Sequence, residues 1–241
     1  MNLDSSQSLF LENFKEELKV FNMDFFILTG QAGTGKTELI KESVEYCKEL
    51  NIGYQCLAFT GRAASVLRSR GLTNTRTIDS WLHHLKKSST ISEFDKYEEF
   101  VFFIDESSMI SNSAILFEDK EPELDFKLDE IMTSTYGFIP CKKIFFVFAG
   151  DNNQLPPLKH DYCPALDSEY LKKRYGIKGR KFELEKIYRQ SEESEITKVA
   201  KYFMSSNDDT SLKIPPLKEV SDSVQVVQEE DIIKLFFQLY F

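Results

Sequence analysis

Positive charge is scarce in this chain: 30 Lys and Arg face 39 Asp and Glu, for a formal net charge of -9. That balance excludes a generally basic, nucleic-acid-coating surface, so any contact with a polyanion must be local. Paired cysteines are missing too. Cys47, Cys56, Cys141 and Cys163 form no CxxC pair, and His83, His84 and His160 stand at no ligand spacing from them. Reduced, structural thiols in a cytoplasmic protein are the expected reading. No apolar run approaches the roughly 20 residues that span a bilayer, and the N-terminus lacks the basic start and apolar core of a signal peptide. Membrane insertion and secretion are therefore not expected. No internal repeat is present either.

The 241 residues, 41% of them hydrophobic, suffice for one large domain or for one domain and part of a second. Phe10, Phe14, Leu18 and Phe21 recur at helical spacing, with Asp4 to Ser6 available as a cap, so an amphipathic helix opens the fold. Short apolar runs follow: FFILT (25–29), YQCLAFT (54–60), FVFFID (100–105) and IFFVFA (144–149). Continuous rather than alternating hydrophobicity marks strands covered on both faces, and the gaps are long enough for crossover helices. The pattern predicts an α/β domain with a mainly parallel sheet flanked by helices.

Residues 86–99 and 111–140 interrupt this rhythm and read as surface insertions, the second carrying the acidic FEDKEPELDFKLDE. A helix is expected over 191–204, a loop over 205–211, a strand at SVQVV, and an apolar stripe from Ile232, Leu235, Phe236 and Leu239. Residues 1–204 are expected to form one domain and 205–241 a linker with the start of another.

GQAGTGKT (30–37) follows a strand and precedes a helical pattern, the setting in which a phosphate-binding loop occurs. Gly30, Gln31, Ala32, Gly33, Thr34 and Gly35 would turn backbone N–H groups toward phosphate oxygens, helped by the helix N-terminus. Lys36 would bridge the β- and γ-phosphates of ATP, and Thr37 would hold Mg²⁺. FVFFIDESS ends a buried strand in Asp105 and Glu106 at the same edge. The first acid suits the metal; the second suits a base that orients the attacking water, or a helix cap. IFFVFAGDNNQLPPL brings Gly150, Asp151 and Gln154 to that edge, where a glutamine can touch a phosphate oxygen and a neighbour at once while Pro156 and Pro157 stiffen the loop.

Taken together, LTGQAGTGKT, AFTGRAASVLR, FFIDESSM, FAGDNNQLPPL and LEKIYRQ resemble, in order and approximate spacing, the first motor domain of superfamily 1 helicases. TGRAA and the following TRTIDSWL look like the RecD-like, 5′-to-3′ branch. The resemblance covers roughly residues 24–204 and implies a RecA-like P-loop NTPase domain that hydrolyses ATP with Mg²⁺ while moving on single-stranded DNA, as a monomer. Within it, Gln154 matches the γ-phosphate sensor and Arg189 an arginine that stabilises transition-state charge. Tyr188 matches an adenine-stacking position, although a core tyrosine fits the sequence as well. Gln7 is the only upstream candidate for an adenine-reading glutamine. Thr60, Gly61, Arg62 and Thr77 match the segments along the DNA strand, and Asp79 stands where many relatives carry histidine. The family implies a second RecA-like domain, of which only the start is expected here, since its motifs do not appear before Phe241; this chain alone is therefore expected to hydrolyse ATP weakly. An RNA-directed motor and a nucleotide-gated interaction module are the competing readings. Two basic runs, 62–76 and 172–181, are the local sites where a backbone could be neutralised.

Overall fold

The computed structural model describes residues 3–86, 94–117, 120–157 and 162–188; the side chains of 114–124 are not described. The chain divides into two units, Met1–Lys186 and Ile187–Phe241, and the elements below belong to the first. The elements expected over 191–204, 205–211 and beyond, together with Arg189, lie outside the described residues.

Helix α1 (Ser5–Val20) opens the fold. The Asp4 carboxylate accepts from the Gln7 N–H and the Gln7 side chain returns to the Asp4 N–H, a capping box that satisfies two orphan donors. Phe21, in left-handed conformation, stops the helix. After it come β1 (Phe25–Gly30), α2 (Lys36–Glu49), β2 (Gly53–Ala58), α3 (Gly61–Ser69), β3 (Thr75–Thr77) and α4 (Ile78–Leu85). Then follow β4 (Glu99–Asp105), a hairpin of β5 (Ser113–Phe117) and β6 (Lys120–Asp125), α5 (Lys127–Phe138), β7 (Lys143–Gly150), α6 (Ser168–Tyr175) and β8 (Gly179–Leu184).

Six strands form one parallel sheet in the order β3-β2-β4-β7-β1-β8. Side chains alternate along each strand between two cores. Phe26, Leu28, Val101, Phe103, Phe145 and Val147 pack against α1, α2 and α3. Phe25, Ile27, Phe102, Ile104, Phe146 and Phe148 pack against α4, α5 and α6. Both faces are thus covered, which is why the strands read as unbroken apolar runs.

Register decides where chemistry can gather. Thr77 pairs with Ala58, and Ala58 with Asp105. Leu28 pairs with Ala149, and Thr29 with Gly150. The C-terminal ends of β3, β2, β4, β7 and β1 therefore lie along one edge of the sheet, where ligands of open parallel sheets bind.

Three features differ from the sequence expectation. Residues 127–138, inside the supposed insertion 111–140, form α5, whose Leu128, Ile131 and Met132 are buried in the second core. Their apolar stripe is obscured by the acidic residues around it. The strands β3 and β8 were not foreseen, because three residues (TRT) and a charged edge (GRKFEL, buried only at Phe182 and Leu184) carry no apolar run. Among the described residues no helix is long and apolar enough to cross a membrane. All four cysteines carry free thiols, and burial pushes Cys56 up to about 12, far from reactive range.

Candidate active site

β1 ends at Gly30 and α2 begins at Lys36, so the glycine-rich loop is the turn between them. Gly33 (φ 90°) and Gly35 (φ 92°) take left-handed conformations open to glycine, which lets the backbone curl into a cradle. The Lys36 ammonium donates to the Gly30 carbonyl and to the Gln31 carbonyl at 3.0 Å, so it lies against the loop. The Thr34 hydroxyl donates to the Gln31 carbonyl at 2.9 Å. Thr37, the second residue of α2, is half-buried beside it.

Gln7 reaches this loop from α1. Its Nε2 donates to the Thr34 carbonyl at 3.0 Å while its Oε1 accepts from the Asp4 N–H at 3.2 Å, and the residue is buried. The glutamine considered as an adenine reader therefore contacts the phosphate loop's own backbone. Sequence periodicity could not show this, because the contact depends on how α1 docks.

Asp105 and Glu106 close β4. Burial pushes the Asp105 carboxyl above the ordinary carboxylate range, opposed by the Glu106 N–H at 3.0 Å and by the positive charges of Lys36 and Arg70. The phosphate-loop lysine and the strand-end aspartate are thus brought into one electrostatic neighbourhood. Arg70, missed in the sequence as a site residue, comes from the end of α3 and contacts Glu38 at 3.4 Å. Glu106 adopts φ 56°, ψ 34°, uncommon for a residue other than glycine, at the start of the 3₁₀ turn Ser107–Met109. Burial raises its carboxyl as well; a hydrogen bond from the Thr60 hydroxyl at 3.2 Å opposes that shift and the Asp105 charge adds to it.

Thr60 and Thr77 are both helix caps. The Thr60 oxygen accepts from the Ala63 N–H at 3.1 Å at the start of α3, and the Thr77 oxygen accepts from the Ser80 N–H at 3.2 Å at the start of α4. Two helix N-termini therefore rise side by side from the paired ends of β2 and β3. Gly61 and Arg62 are exposed on α3. Asp79 is held by Lys127 of α5 at 2.8 Å.

Gly150 ends β7 where a Cβ would meet the Leu166 side chain at 2.8 Å and the Ser108 backbone N at 3.0 Å. Asp151, buried, shapes the next turn: its carboxylate accepts from the Asn153 N–H at 2.9 Å and its carbonyl from the Gln154 N–H at 3.2 Å. Gln154 itself is exposed, as is the adjoining Leu155 at 89%. The structure thus places Gln154 on a backbone turn at the sheet's edge without a side-chain hydrogen bond to the described residues. Tyr188 belongs to the second unit and is exposed.

Among solved structures, the crystal structure of Pif1 helicase from Candida albicans superposes with a TM-score of 0.52 at 22% identity, covering 83% of this chain and 43% of that one. The likeness is one of fold. AMPPCP-bound DnaA from Aquifex aeolicus matches more loosely, with a TM-score of 0.43 at 17% identity over 100% of this chain and 64% of that one. An uncharacterized protein of Methanocaldococcus jannaschii is 28% identical over 228 residues, 87% of this chain. The chain spans only 17% of that relative's length. The AAA domain family matches residues 15–160, from α1 through the phosphate loop and the Asp-Glu pair to the loop after β7. A match across more than half of the chain, embracing every strand end that forms the site, makes this protein a member of the AAA domain family.

Proposed function

We propose that this chain is the ATPase half of a superfamily 1, RecD-like DNA helicase, hydrolysing ATP as it moves 5′-to-3′ on single-stranded DNA. The observation that carries the reading is the hydrogen bond from Thr60 to Glu106. It joins the cap of an exposed helix end to the acid suited to act as base, so the strand side and the phosphate side meet at one carboxylate.

Roles follow from position. The loop from Gly30 to Gly35 receives the phosphates on its N–H groups, and Lys36 leaves its carbonyl partners for the β- and γ-oxygens. The Thr37 hydroxyl and the Asp105 carboxylate are hard oxygen donors at the mouth of this cradle, a set that fits Mg²⁺. When bound, that ion neutralises charge between the phosphates. Glu106 takes up the proton of the attacking water, Gln154 reports the γ-phosphate, and Arg189 supplies transition-state charge. Thr60, Gly61, Arg62 and Thr77 line the strand at two helix N-termini, which favour phosphate oxygens. Tyr188 stacks on the adenine. Residues 1–204 form the motor, and a second RecA-like domain completes it in a monomeric, cytoplasmic enzyme.

ATP turnover with and without single-stranded DNA, and with RNA of the same length, tests this reading. DNA-stimulated hydrolysis that disappears in Glu106→Gln, while ATP binding persists, is expected. Stimulation by RNA alone would make the motor RNA-directed. Turnover indifferent to either strand would leave a nucleotide-gated module.

A further inference from the structure

Between α4 and the beginnings of β2, β3 and β4 lies a cavity of about 420 Å³, within the usual range for a small-molecule site. Tyr54, Trp81 and Tyr97 are among its lining residues, together with the basic side chains of Arg76, His84 and Lys96 and the amides of Gln55 and Asn74. Among the described residues no acid lines it, in a chain with net charge -9. The half-buried Arg76 guanidinium has no carboxylate partner among the described residues, and the Lys96 ammonium sits 5.0 Å from the Tyr97 ring centre. Trp81 is 1% exposed, and its indole N–H finds no acceptor among the described residues. Phe100, at the cavity, precedes Asp105 by five residues of β4, or about 16 Å at the strand rise of ~3.3 Å per residue. The cavity is therefore remote from the phosphate loop.

We propose that this cavity binds one nucleotide unit: a planar base against the tyrosines, with its phosphate on Arg76 and Lys96. A planar guanidinium held half out of water without a carboxylate partner among the described residues favours an oxyanion it can grip through two oxygens, as phosphate offers, and aromatic side chains beside cations are what a base with a phosphate fits. The unit comes either from a free nucleotide or from a strand passing the edge strand β3, whose Arg76 adjoins Thr77 at the strand-end row.

Trp81 is the chain's single tryptophan, so its fluorescence reports this cavity alone. The test titrates the 241-residue chain with deoxythymidine monophosphate and, separately, with a twelve-residue oligo(dT). A saturable change in Trp81 emission is expected, undiminished in Lys36→Ala and weakened about tenfold or more in both Arg76→Gln and Lys96→Ala, variants checked by melting. A response to the monophosphate assigns a free nucleotide; a response to the oligonucleotide alone assigns a strand. The proposal is overturned if neither probe responds, if inorganic phosphate gives the same response, if Lys36→Ala abolishes it, or if a folded Arg76→Gln or Lys96→Ala binds like wild type. Because Lys36→Ala silences the phosphate loop, a failure here leaves the ATPase reading untouched, and the reverse also holds.

Discussion

Gly35 closes the phosphate loop at φ 92°, and a Cβ there would stand 2.6 Å from the Gln7 Nε2. A flexible amide would ordinarily yield, but this one is tied on one side to the Thr34 carbonyl and on the other to the cap of α1. Gly35→Ala therefore combines a left-handed penalty of about 1–2 kcal/mol with displacement of a buried hydrogen bond. The expected outcome is a lower unfolding midpoint in urea and a loss of nucleotide affinity. Gly61→Ala is the control: it sits inside α3 with nothing within 4 Å of its added Cβ, and helix propensity favours alanine. If both variants unfold alike, the loop's backbone conformation is not what the glycine protects. Arg62, exposed on the first turn of α3, makes a separate case. As a backbone contact, Arg62→Ala should weaken single-strand binding for every sequence and flatten its salt dependence by about one unit of slope. Binding isotherms on two unrelated oligonucleotides over a salt series measure both effects.

At the scale of elements, Asp129 on α5 is the hub that joins three segments. Arg174 of α6 grips it bidentately, the Tyr175 hydroxyl donates to it at 2.7 Å, and Asn112, in the loop after the Asp-Glu pair, donates at 2.9 Å. The Arg174 hydrogen bond is the chief reason the Asp129 carboxyl is held down to about 2. A lowered folded-state value means stability that is present above the unfolded value near 3.8 and is lost as pH falls toward 2. Asp129→Asn should accordingly lose about 1–2 kcal/mol at neutral pH. Its deficit against wild type should shrink between pH 4 and 2, as urea unfolding at several pH values would reveal. An equal deficit at all pH values would mean that packing, not charge, holds α5 to α6.

This network also shows where the sequence stops being readable. The strand-ending acids and the glycine loop are legible because local rules, a buried run broken by charge and a turn that needs glycine, place them without reference to distant residues. Asn112, Asp129 and Arg174 meet only through tertiary docking, and the acidic setting of α5 hides its core-facing stripe. β3 and β8 escape for another reason. Edge strands are short or charged because their outer side does not have to pack, so they lack the very signal that reveals the central strands.

At the largest scale, parallel register turns five separate stretches of the first unit into one row, and in the proposed motor function is communication along it. Thr60 and Thr77 stand toward one side of the row, the phosphate loop toward the other, with Asp105, Glu106 and the Gln154 loop between. Gln154 lies on a turn fixed by buried Asp151 and followed by Pro156 and Pro157, so displacement of its side chain is passed to backbone with little slack. If it reports the γ-phosphate, Gln154→Ala should leave ATP and single-stranded DNA each bound almost as before and reduce the effect of either on the other. Coupling is reciprocal, so both effects must fall by the same factor, out of a typical range of about 5- to 150-fold. Titrating DNA with and without a non-hydrolysable ATP analogue, and the analogue with and without DNA, measures the two independently. Replacing both prolines by alanine should act in the same direction and more weakly, because the sensor remains while its lever softens. Wild-type coupling in the glutamine variant would reduce the loop to a turn and leave the Thr60–Glu106 hydrogen bond as the connection between the two sides of the row.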